Sequence, residues 1–180
     1  MAVQTAAVRV DRVFAFVDLS GFTAYTALHG DERSVEVLAL FRRVLRDVAS
    51  REGVRIAKWL GDGAMLVGLE VEHTVATVVE VIERLERSGA PLPLRAGITC
   101  GAVILFEGDD HVGRSVNLAS RLCDAAPPGT VLLGPGAAEV YRVGLVQTTT
   151  GFIPDMESDV VEVPGFADPI PVVRLTHRPI

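Results

Sequence analysis

At 180 residues and 49% hydrophobic, the chain can fill one good core but is too short for two ordinary domains, so residues 1–180 read as one domain with its core over about 12–176. A formal charge of -6 and a pI near 5.2 argue against general affinity for nucleic acid or acidic lipid, so any anionic ligand must be held locally. Cys100 and Cys123 lie far apart without metal-ligand spacing, the apolar runs are too short for a membrane segment, and no signal segment opens the sequence; a reducing, cytoplasmic setting is the expectation.

In chain order, "RVFAFVDL" reads as a buried strand that ends in Asp18 and runs into a helix start at Ser20-Gly21. From Asp31 to Ala49, Val37, Phe41, Val44 and Val48 recur at helical spacing and leave Arg42, Arg43 and Arg46 mostly outside; Gly53 ends the helix. "VRIAKWL" and "AMLVGL" form a hairpin around Gly61-Asp62-Gly63, and Val75, Val78, Val79, Ile82 and Leu85 mark a second helix before Gly89-Ala90-Pro91. "LRAGITCGAVILF" is a strand region broken or bent near Gly101, followed by the polar turn "EGDD" and a helix over Ser115–Asp124. Strand, helix, strand, strand, helix, strand is the split βαβ order of ferredoxin-like α+β folds. Additional short strands are expected at Val131–Leu133, Gly144–Thr148, Val160–Val163 and Pro171–Leu175, with the mobile loop at Thr149–Ser158.

Several residues could carry chemistry. Asp18 is a carboxylate at the end of an apolar strand, where it needs either a cation or a role as helix cap alongside Ser20. The "SGFT" amides that follow suit a phosphate. Asp62, on a tight turn, is a second acid, and two carboxylates from separate elements are the usual minimum for a divalent metal between protein and phosphate; Asp-Gly is equally ordinary hairpin punctuation. Lys58 shares parity with Val54, Ile56 and Leu60, so a regular strand aims it at the apolar face. Asn117 and Arg121, four apart, share one helix face, which a solvated surface would also explain. Arg95 is a cation in an apolar strand that could pair with a structural acid.

Taken together, "FAFVDLSGFT", "KWLGDGAML", "LRAGITCGAV", "GRSVNLASRL" and "VEVPGFADPIPVVRL" resemble, in order, the catalytic domain of class III nucleotidyl cyclases over Phe14 to Leu175. The resemblance implies a ferredoxin-like βαββαβ core with additional C-terminal strands. It implies two divalent ions, magnesium or manganese, on Asp18, Asp62 and the carbonyl of Leu19, with the amides of Gly21, Phe22 and Thr23 and the side chain of Arg95 on the triphosphate. Lys58 and Asp110 would read the base edge with a polarity that suits adenine, Asn117 would position the ribose, and Arg121 would stabilise charge on the α-phosphate. The implied reaction is adenylyl cyclase: the ATP 3′-hydroxyl attacks the α-phosphorus to give 3′,5′-cyclic AMP and pyrophosphate. The partner is a second copy of the chain, in a homodimer with shared sites. A guanylyl cyclase and a catalytically silent module of the same fold are the alternatives. One departure stands out: Pro164 occupies the position where many relatives carry a phosphate-contacting lysine.

Overall fold

Val13, Ala15, Val17 and Leu19 alternate with Phe14, Phe16 and Asp18 along β1 (Val8–Leu19), and the two sets face different layers. The computed structural model describes residues 7–143 and 154–176. After β1 come α1 (Phe22–Glu52), β2 (Arg55–Leu60), β3 (Gly63–Gly68), α2 (Val71–Arg87), β4 (Leu94–Phe106) and β5 (Asp110–Val112). They are followed by α3 (Arg114–Ala125), β6 (Thr130–Leu133), α4 (Pro135–Val143), β7 (Asp155–Val161) and β8 (Ile170–Thr176). The strands form one sheet in the order β2-β3-β1-β4-β6-β8-β7, with β5 paired to the end of β4. The first four strands run antiparallel in the 2-3-1-4 arrangement of the expected βαββαβ core, and β6, β8 and β7 extend it.

The two faces are covered unequally. Val37, Phe41, Val44 and Val48 of α1, the apolar stripe of α2, and Ala137, Ala138 and Tyr141 of α4 pack on the odd-numbered side of β1. Among the described residues, α3 is the one helix on the opposite face, where Val116 and Ala119 meet Phe14, Met65, Val67 and Val103, and Leu118 and Leu122 meet Leu132 and Val172. Asp18 lies on this second face, which therefore carries the polar residues of interest.

Several local expectations change. The helix start expected at Ser20-Gly21 is present, and the helix expected from Asp31 is joined to it in one element from Phe22 through Gly30, whose φ of 82° breaks the helical path; Ser34 Oγ donates to the Gly30 carbonyl at 2.9 Å and steadies the break. β4 is not broken at Gly101, because its pairing with β1 continues without a register shift; the absent side chain makes room for Ser115, whose Oγ would lie 2.4 Å from a Cβ there. Lys58 is the clearest correction. A bulge between Ile56 and Lys58 inserts one residue, so Ile56 and Trp59 both pack on the α1 side while Lys58 pairs with Met65 on the α3 side.

Asp155–Ser158, expected within a loop, belong to β7 and pair with β8; all four are exposed, so their backbone partners leave no apolar periodicity to read. The strand expected at Val160–Val163 ends at Val161, and Val163 is buried beyond it. The expected strand at Gly144–Thr148 and residues 149–153 of the expected loop lie outside the described residues. α4 was not anticipated from sequence, since its Pro-Gly start reads as a turn. Among the described residues, no helix is long and apolar enough to cross a membrane.

Candidate active site

Asp18, Gly63 and Arg95 form one row across β3, β1 and β4, because Asp18 pairs with Gly63 on one side and Arg95 on the other. Arg95 donates to Asp18 Oδ2 from Nε at 3.0 Å and from Nη2 at 2.8 Å, and its Nη1 donates to the Asp124 carbonyl at 2.9 Å. The structural-acid alternative for Arg95 is thus realised, and the acid is Asp18. Three of the five guanidinium N–H groups are engaged, which leaves two. Asp18 does not cap α1: the N-cap is Gly21, with no side-chain cap bond, and Ser20 Oγ is buried without a hydrogen-bond partner among the described residues.

Asp62 converges with Asp18. The Leu19 N–H donates to the Asp62 carbonyl at 3.2 Å, tying the hairpin turn to the end of β1. Burial raises the Asp18 carboxyl above its ordinary range, the hydrogen bond from Arg95 lowers it, and the negative charge of Asp62 adds to the rise. Close approach needs Gly63: a Cβ there would fall 2.5 Å from the Val17 carbonyl and 3.3 Å from Asp18 Oδ1. A small cavity of about 180 Å³ opens beside this pair, lined by Asp18, Leu60, Gly63, Ser120 and Asp124.

These oxygen donors fit a hard divalent cation. Among the described residues, no three His, Cys, Asp or Glu side chains are grouped to hold one unaided, so phosphate and water oxygens would complete the coordination. Cys123 borders the same cavity, but burial pushes its thiol up to about 12, so it stays neutral. The helix start behind Asp18 also suits an anion. Tyr25 N–H bonds back to the Gly21 carbonyl at 2.9 Å, whereas the amides of Phe22 and Thr23 precede the first intrahelical bond; Gly21 and Thr23 are exposed.

Lys58 and Asp110, 52 residues apart, are hydrogen-bonded as an ion pair, and both are about half exposed. The bulge in β2 makes this meeting possible. The Lys58 ammonium lowers the Asp110 carboxyl below its usual range. Asp109 pairs instead with Arg55, at 3.7 Å.

Asn117 and Arg121 are exposed on α3 and line a groove of about 900 Å³ together with Arg114, Ser120, Pro164 and Phe166. This groove differs from the Asp18 cavity, although Ser120 borders both. Pro164 lies on the groove wall, so the substitution falls beside the expected site residues. The structure therefore brings the sequence-predicted residues together in three groups: Asp18, Asp62 and Arg95; Lys58 and Asp110; Asn117 and Arg121. Asp124 was missed. It receives Arg95 through its carbonyl, and its carboxylate lies 3.7 Å from Arg121, a contact that the three-residue helical spacing makes available.

No protein-family profile matches the chain. An uncharacterized protein of Mycobacterium tuberculosis is 37% identical over 117 residues, covering 65% of this chain and 31% of that protein. An adenylate cyclase of Streptomyces coelicolor is 33% identical over 132 residues, covering 72% of this chain and 34% of that protein. The chain thus spans about a third of the length of the curated relatives it matches. In structure it resembles the adenylyl cyclase CyaB from P. aeruginosa, with a TM-score of 0.81 at 21% identity over 96% of this chain and 97% of the other; guanylyl cyclases such as Cya2 share the fold. With the five motifs in order and the same sheet beneath them, the chain belongs to the class III nucleotidyl cyclase catalytic domains.

Proposed function

We propose that this chain is the catalytic domain of an adenylyl cyclase, which converts ATP to 3′,5′-cyclic AMP and pyrophosphate at sites shared between two copies of the chain. The observation that carries the reading is the division of one chain into complementary halves. Asp18 lines one cavity, with the charge of Asp62 near enough to act on its carboxylate, while Asn117 and Arg121 line another. Each half lacks what the other has, and a twofold pair of chains would join them into two equivalent sites.

Asp18, Asp62 and the Leu19 carbonyl would hold two divalent ions, magnesium or manganese. Bound there, the ions would supply neutralisation of phosphate charge and a lowered hydroxyl pKa. Arg95 keeps the Asp18 carboxylate oriented through Nε and Nη2, and its two remaining N–H groups would face the triphosphate with the amides of Gly21, Phe22 and Thr23. Lys58 and Asp110 present a donor and an acceptor side by side, so they complement adenine, whose N1 accepts and whose N6 amino group donates. Guanine presents the reverse polarity, N1-H and O6. Asn117 would orient the ribose, and Arg121 would meet the charge that grows on the α-phosphate.

The test is an assay of the purified chain with ATP and with GTP, each with magnesium or manganese, following cyclic nucleotide and pyrophosphate over a range of protein concentrations. The expected result is cyclic AMP, with specific activity rising as dimers form. Cyclic GMP alone would overturn the base assignment. No product at any concentration would favour a nucleotide-binding module.

A further inference from the structure

Arg42, on α1, donates from Nη2 to the carbonyl of Gly61 at 3.1 Å, on the residue just before Asp62. Its guanidinium lies over the ring of Trp59, 4.8 Å from the centroid, and Arg46 covers the same ring at 5.1 Å. Phe41 meets the ring edge-on at 6.2 Å. Among the described residues, Arg42 Nε is buried without a hydrogen-bond partner and Arg42 forms no ion pair with a carboxylate. A half-buried cation held by a ring and one main-chain oxygen is not serving a salt bridge. Its polar contact is the turn.

That turn is held on its other side as well. The Asp62 carbonyl accepts from Leu19 N–H, so the peptide groups on both sides of Asp62 are fixed, one by the end of β1 and one by Arg42. Gly61 itself sits at a φ of 66°, a conformation without side-chain restraint. Without the Arg42 bond, the Gly61–Asp62 peptide could rotate and carry the Asp62 carboxylate away from Asp18.

We infer that Arg42, seated on Trp59, is a positioning residue for Asp62, locking the turn so that two carboxylates present one cation site. This rests on the metal reading of the proposed function. It makes Trp59 more than a core aromatic: the ring orients the arginine that orients the metal acid.

Trp59 is the sole tryptophan, so its emission reports this hairpin directly. The experiment titrates MnCl2 into the full chain with 3′-deoxy-ATP or 3′-deoxy-GTP, which carry the triphosphate but lack the attacking hydroxyl, and follows Trp59 fluorescence. The native chain should show a saturable change that Asp62→Asn abolishes. Arg42→Met keeps an apolar stem over Trp59 but loses the donor, and should raise the half-saturating manganese about 10–100-fold, the usual cost of removing an outer-shell support, with little change in melting temperature. Arg42→Lys should recover part of the shift, and Arg46→Ala, which loses only ring cover, should keep the native midpoint. A native midpoint in Arg42→Met, or an equal shift in Arg46→Ala, overturns the inference alone. A native chain with no Asp62-dependent response to either nucleotide overturns the metal reading, and the inference with it.

Discussion

Lys58 on β2 and Asp110 on β5 are bonded to one another on the sheet face that carries α3, where each would otherwise be a solitary half-exposed charge. Such an exposed pair adds little to stability. Its value is that it sets a donor beside an acceptor. Lys58→Ala and Asp110→Ala should each lower kcat/KM for ATP by about 10–100-fold, the loss expected when a base-edge hydrogen bond goes unmet, while GTP turnover falls less. The ATP-to-GTP ratio from parallel assays is the measurement, with melting temperature as control. Equal losses for both nucleotides would remove these residues from base recognition.

The core pattern and the motif order were legible because both are periodic. Val37, Phe41, Val44 and Val48 announce α1, and the six-element order announces a ferredoxin-like sheet. The face on which Lys58 lies was not legible. One inserted residue reverses strand parity, and nothing in "RIAKWL" marks a bulge. Arg95 was ambiguous for a different reason. Its partner is 77 residues away, and only the pairing of β1 with β4 makes them neighbours. α4 and the Asp155–Asp159 part of β7 escaped because their helix start and strand surface are built from turn-like or polar residues. Arg42 read as a surface cation because the ring beneath it belongs to another element.

The separation of the Asp18 cavity from the Asn117–Arg121 groove gives a test of shared sites. Arg121 is exposed, and its contact with Asp124 is an exposed i,i+3 pair, so Arg121→Ala should leave the melting temperature nearly unchanged. Turnover should fall on the order of a thousandfold, roughly 4 kcal/mol, if the guanidinium meets transition-state charge. Asp62→Ala should be similarly inactive. Mixing the two variants should restore activity, because one of the two sites in each mixed dimer receives an intact Asp62 and an intact Arg121. Persistent inactivity of a mixture shown to contain mixed dimers would count against sites divided between chains.

His111 gives the fold an acid sensitivity. Its ring meets Phe14 edge-on with centroids 5.4 Å apart, and burial lowers its pKa below 6.5, helped by the charges of Arg55 and Arg12 and opposed by Asp109 and Asp110. With the folded value below the unfolded one, the unfolded chain binds the extra proton first. The associated stability is present above about pH 6.5 and is lost as pH falls toward the lowered folded value. His111→Gln should therefore flatten the decline in melting temperature between about pH 7 and about pH 5. A variant with an unchanged slope would assign the decline to other groups.

Gly97 fixes the distance between α3 and the sheet. A Cβ at this position would fall 2.3 Å from the Ala119 carbonyl, 2.4 Å from the Cys123 nitrogen and 2.7 Å from Leu122 Cβ. Two of these atoms are helix backbone, which cannot swing aside as a side-chain tip can. Gly97→Ala must therefore push α3 outward or bend β4, and overpacking of this kind costs about 1–3 kcal/mol. For a chain of this length that is a fall of roughly 3–10 °C in melting temperature. The functional consequence should be larger than the loss of stability. α3 carries Asn117 and Arg121, and its last turn receives Arg95 at the Asp124 carbonyl, so one displacement would disturb both halves of the site. Turnover at a temperature where the variant is fully folded should drop at least tenfold, in line with the cost of misplacing catalytic groups by about an ångström. Native stability together with native turnover in Gly97→Ala would mean that the helix yields without cost, and that its seat on β4 does not hold the site in place.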